Sequence, residues 1–117
     1  MIRLIDGPDF VELEASGTLT SGDYDEVLPR IEALAEQRGP LRFYIELKDF
    51  RGWSPAALWR DIKFDMRHQA DMDRVAIVGE NRWEKWLTQL SRPFFRADVR
   101  YFAREHADEA RRWVREN

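Results

Sequence analysis

His68 and His106 are the two side chains of this sequence whose ordinary titration falls near neutral pH, so acid–base chemistry is tested on them first. They lie far apart in the chain. His68 falls at the end of a predicted helix, where the dipole favours an imidazolium, and His106 falls in the first turn of the last one. Both are read as structural or surface residues. The sequence has no cysteine, which excludes thiolate catalysis, disulfides and cysteine-held zinc or iron–sulfur groups. There is no G-x-S-x-G elbow, no glycine-rich phosphate loop and no H-E-x-x-H helix. Asp61 and Asp65 share one helix face, but Arg60, Lys63 and Arg67 surround them, as on a solvated charged face. Asp71 and Asp73 flank a turn and offer a two-carboxylate metal site of low specificity. No catalytic residue, metal ligand or cofactor is expected, and the chain is read as a non-enzyme.

Aromatic side chains interleaved with cations make the more informative constellation. Trp53, Trp59 and Phe64 stand among Arg60, Lys63 and Arg67. On a helical wheel Pro55, Leu58, Trp59, Ile62 and Met66 form one apolar stripe, read as the core face. Phe64 falls on the opposite side with Ala57 beside it, a misfit that needs a partner. Interleaved aromatics and cations suit contact with a membrane interface. The alternative is that Trp59 is core and Phe64 packs under a loop or a neighbouring subunit. Trp83 and Trp86 read first as core residues of a further helix and join the same candidate apolar-binding set.

Hydrophobic periodicity supplies the elements that must position these residues. Alternation predicts strands over 2–5 and 10–16, close enough in sequence to pair antiparallel. Thr20 and Asp23 have capping-box spacing ahead of a helix that Gly39-Pro40 ends, with Pro29 on its solvent side. A strand over 41–50 follows, with Trp53 in the loop after it. A helix then runs to about His68, Ser54 as its N-cap and Pro55 in its first position. A strand over 74–79, a helix opened by Asn81 and Glu84, a strand over 99–102 and a helix from about Glu105 complete the chain. That last helix turns Ala110, Trp113 and Val114 inward. The order β-β-α-β-α-β-α-β-α predicts an α/β domain with a five-stranded mixed sheet and right-handed crossovers. Glu12, Glu14, Arg42, Tyr44, Glu46, Arg74 and Arg100 fall on the second face of the strands. The helices are therefore expected mainly on one face, leaving the other partly wet or open to self-association.

Length and composition set the remaining bounds. The 117 residues read as one domain over 1–117, without repeats or linkers. No apolar run reaches the roughly 20 residues of a membrane span, and the first residues lack the pattern of a signal peptide, so a cytoplasmic protein is expected. The net charge of −3 divides into −6 over residues 1–49 and +3 over 50–117. The basic half is interspersed with acids, which argues against nucleic acid as a partner.

Together these residues resemble the SpoIIAA-like family of small bacterial proteins, whose fold is related to STAS domains and to CRAL-TRIO lipid-carrier domains. The resemblance spans essentially the whole chain. It is carried by Gly17-x-Leu19-Thr20 with Asp23-Tyr24 and by Leu28-Pro29. Its most specific stretch is Asp49-Phe50-x-Gly52-Trp53-x-x-x-Ala57-Leu58-Trp59-x-Asp61 with Phe64. Val75-Ala76-Ile77-Val78-Gly79, Trp83-Glu84-x-Trp86 and Val99-x-Tyr101-Phe102 continue it. The resemblance implies the same element order. It also implies a second helix that can shift to open an apolar cavity or to meet a membrane surface. In anti-sigma antagonists of STAS type a serine near the start of this helix is phosphorylated, and Ser54 occupies that neighbourhood. Their Asp-Ser-Ser-Gly type of motif is absent here.

The expectation is a binding module for an apolar small molecule or lipid, with peripheral contact at the inner face of the membrane through the second helix. The alternative is a STAS-type interaction switch acting through Ser54. A homodimer through the charged sheet face or an edge strand is compatible with either.

Overall fold

A computed structural model describes residues 1–67, 72–80, 82 and 98–116, with positions 61, 62 and 64–67 given by their backbone. Five strands form one sheet in sequential order: β1 (Ile2–Asp6), β2 (Val11–Leu19), β3 (Leu41–Trp53), β4 (Met72–Gly79) and β5 (Asp98–Ala103). β1 and β2 are antiparallel, and β2 through β5 are parallel. Among the described residues the helices are α1 (Ser21–Arg38), α2 (Pro55–Arg67) and α3 (Ala107–Arg115), the last preceded by a 3₁₀ turn. The mixed five-stranded α/β architecture is the one the alternating periods imply. The helix expected after Asn81, with Trp83 and Trp86, lies outside the described residues.

Sequential parallel strands joined by crossovers of one hand place the crossover helices on the same face. There Val11, Ala15, Phe43, Leu47, Val75 and Ile77 meet Tyr24, Val27 and Ile31 of α1 and Ala57 of α2. Helix α1 starts where its cap requires. Thr20 Oγ1 accepts from the Asp23 amide at 3.4 Å, and the Asp23 carboxylate accepts from the Thr20 amide at 2.8 Å. Pro29 is exposed, as its place on the wheel demands.

The second face is not left bare. Helix α3 lies across it and buries Ala110, Trp113 and Val114 against Tyr44, Ala76 and Val78. Strand β4 is thus covered on both sides, which explains its unbroken apolar run. Arginines that alternation had put on a wet face hold this helix. Arg74 donates to the Trp113 carbonyl at 2.7 Å, and Arg42 donates to the Val114 carbonyl at 3.0 Å and to that of Glu116. These carbonyls are among those a helix C-terminus leaves without intrahelical partners. The Trp113 ring has Arg74 and Arg100 guanidinium carbons 5.2 and 4.9 Å from its centroid.

Candidate functional site

The region around α2 begins with an irregular stretch of sheet. Register shifts flank Gly17 on β2, and left-handed backbone occurs at Gly17 (φ 63°), Asp49 (φ 48°) and Gly52 (φ 111°). Such residues absorb the extra length of a bulge, so pairing resumes and runs to Leu19 opposite Trp53. β3 therefore extends three residues past its expected end at Phe50, and Trp53 is a strand residue where a loop was expected. Its indole N–H donates to the Tyr24 hydroxyl at 2.9 Å, and its ring meets Phe50 edge to face at 4.8 Å. Trp53 is half-buried and ties the end of β3 to α1.

Ser54 caps α2 as its position suggests: its Oγ accepts from the Ala57 amide at 3.2 Å. The Ser54 amide donates to the Leu19 carbonyl at 2.8 Å, anchoring the helix start to the end of β2.

Orientation is where α2 departs from its wheel. Ala57, expected on the outer side, is fully buried. Pro55 and Trp59, expected inside, are exposed, Trp59 by 59%. The cause is tertiary. Arg60 turns inward and donates to the Ser21 carbonyl at 2.9 Å, to the Ser21 hydroxyl at 3.0 Å and to the Asp25 carboxylate. The side carrying Ala57 and Arg60 thus faces α1, where a methyl group permits close approach. Lys63 sits one turn beyond Trp59 with its ammonium 5.7 Å from the ring centroid. Among the described side chains of α2, Pro55, Ala56, Trp59 and Lys63 are exposed, a tryptophan beside small apolar residues and capped by a cation.

The structure thus separates the predicted site residues. Trp53 and Ser54 belong to the anchorage of α2 and Trp59 to its free surface. The Phe64 side chain and residues Trp83 and Trp86 lie outside the described residues.

Among the described residues the titratable candidates gather no site. His106 is exposed beside Glu109 at 3.8 Å, and Asp73 pairs with Arg42 at 3.0 Å. His68 and Asp71 lie outside the described residues, as do the side chains of Asp61 and Asp65. Among the described residues no three carboxylates or imidazoles come together as a metal site would require. An electrostatic cluster missed by sequence reasoning lies on the other face. Arg111 donates to Glu12 at 2.8 Å with its guanidinium carbon 4.2 Å from the Tyr44 ring centroid, and Tyr44 donates to Glu46 at 3.2 Å. Burial, against the pull of Arg111 and helped by Glu46 and Glu12, pushes the Tyr44 hydroxyl up to about 12. The cluster fastens α3 to β2 and β3.

A family model described as SpoIIAA-like matches residues 10–115. Among solved structures, the chain is similar to an uncharacterised protein from the DUF3478 family with a SpoIIAA-like fold, from Shewanella loihica PV-4. Identity is 25% and the TM-score 0.80, over 97% of this chain and 92% of that one. No curated protein matches.

Proposed function

The chain belongs to the SpoIIAA-like family, and on that premise we propose that it is a non-enzymatic binding module for an apolar small molecule or lipid, approached through α2. The observation that carries the reading is the outward turn of Trp59, 59% exposed beneath the Lys63 ammonium. A tryptophan left in water with a snorkelling lysine is the arrangement that suits a boundary between apolar and aqueous phases. The helix bearing it is held at its start by Ser54 and on its inner side by Arg60, so the outer face stays outward. Among the described residues no helix is long and apolar enough to cross a membrane. In this reading contact is peripheral, at the inner face of the cytoplasmic membrane. Co-sedimentation with phosphatidylglycerol vesicles tests it. Wild type is carried down and Trp59→Ala is not, whereas equal sedimentation of the two, or none of either, counts against the placement or the class.

A second reading rests on Ser54. Its hydroxyl stands at the N-terminus of α2, where a phosphate meets the positive end of the dipole. A partner protein whose affinity falls with Ser54→Glu and ignores lipid would favour an interaction switch over lipid binding.

A further inference from the structure

Strand β1 closes one side of the sheet, and its hydrogen-bond phase fixes which backbone groups face outward. Met1 and Ser16 exchange both bonds, Met1 N to Ser16 O at 2.8 Å and Ser16 N to Met1 O at 2.9 Å. Bonded and non-bonded pairs alternate along an antiparallel ladder. Arg3 with Glu14 and Ile5 with Glu12 are therefore the next bonded pairs of the register. The N–H and C=O groups of Ile2, Leu4 and Asp6 point to the open side, and among the described residues no hydrogen bond reaches them.

Exposed edges usually carry guards such as proline, lysine or a bulge. β1 has neither proline nor lysine, and its register with β2 runs unbroken from Ile2 to Asp6. Its carboxylate, that of Asp6, is already engaged by Arg38 at 2.6 Å. Ile5, 38% exposed, stands beside the open edge on the second face.

We propose that β1 is a self-association edge: two copies pair β1 with β1, antiparallel, about a two-fold axis at Leu4, joining their five-stranded sheets into one. The three outward-facing residues are symmetric about Leu4, so this edge complements itself. In that register Leu4 exchanges both backbone bonds with Leu4 of the second copy, and Ile2 does so with Asp6. Arg3 then faces Ile5 of the second copy, laying its methylene stem over an exposed apolar side chain. Sliding by two residues one way brings Arg3 against Arg3, and sliding the other way leaves Ile2 without a partner. Self-complementarity selects a second copy over an unrelated extended peptide.

Light scattering over a dilution series, with melting temperatures to verify folding, tests the edge. Wild type is expected at twice 14.0 kDa at the concentrated end. Ile5→Lys places a cation opposite Arg3 of the other copy and is expected to shift the protein to monomer. Ile5→Glu places an anion there and is expected to keep the dimer. The natural chain has no cysteine, so Leu4→Cys supplies one thiol per copy. A bonded antiparallel pair has its Cα atoms about 5.5 Å apart, within disulfide reach. Oxidation is expected to give a covalent dimer from Leu4→Cys and none from Arg30→Cys on the exposed side of α1. A wild type that stays monomeric throughout overturns the proposal, as does a dimer indifferent to Ile5→Lys and uncrosslinked at Leu4→Cys. Neither result bears on α2, whose variants leave β1 untouched.

Discussion

The indole of Trp53 donates to the hydroxyl of Tyr24 at 2.9 Å, bridging the last residue of β3 and the first turns of α1. The bond sits where the sheet hands over to α2, one residue before the Ser54 cap. Trp53→Phe keeps the ring against Phe50 but removes the donor, and is expected to cost about 1 kcal/mol. Trp53→Ala also loses the ring, at about 2–4 kcal/mol. Urea denaturation of these variants, with Tyr24→Phe to complete a double-mutant cycle, reads both figures. Additive losses would show that the bond contributes nothing.

Tyr44 sets an alkaline limit on stability. Its hydroxyl is held at about 12 in the fold against about 10 in an unfolded chain. Between those values the folded form keeps the proton that the unfolded form has lost. The contribution is therefore intact below pH 10 and disappears as pH rises through 12, amounting to of order 2 kcal/mol. Denaturation midpoints from pH 9 to 12 should fall steeply for wild type and less for Tyr44→Phe. Parallel curves would remove Tyr44 from the account.

Asp23 acts at the acid end. Burial works to raise its carboxyl, but the Thr20 amide and hydroxyl and the nearby Met1 ammonium outweigh it, and the group is held below the usual carboxylate value. Its contribution is present above the unfolded value of about 3.9 and is lost as pH falls through the folded one. Thr20→Ala is expected to cost about 1 kcal/mol at neutral pH and to flatten the acid limb of the stability curve.

Gly79 holds β4 and β5 at close quarters. A methyl group there would lie 2.7 Å from the Tyr101 hydroxyl, which donates to the Glu80 carbonyl at 2.5 Å, and 3.1 Å from Leu47 Cβ. Gly79→Ala is expected to cost about 1–3 kcal/mol in a thermal scan. A neutral substitution would show that Tyr101 moves aside freely.

Local chemistry was legible in the sequence and tertiary chemistry was not. Thr20, Asp23 and Ser54 announce their caps because a cap depends on residues three positions away. Periods of two and 3.6 give the strands and helices in order. The rotation of α2 could not be read, because Pro55 and Trp59 of its apolar stripe are exposed while Ala57 and Arg60, off that stripe, face α1. Arg60 is drawn onto Ser21 and Asp25 of another helix, and no local pattern records that. The extension of β3 to Trp53 depends on a bulge shared with Gly17 of another strand. Likewise the arginines of β3, β4 and β5 look solvated until α3 is laid across them. For Trp53, Trp59 and Ser54 sequence identified the neighbourhood, and only the fold distinguished anchorage from free surface.

Quenching by lipids with brominated acyl chains reports whether Trp59 of α2 enters a bilayer. With anionic vesicles of such lipids, wild-type emission should be quenched, and Trp59→Phe should lose most of that quenching while Trp53→Phe retains it. Quenching that persists undiminished in Trp59→Phe, or that never occurs, would show that α2 does not meet lipid through Trp59.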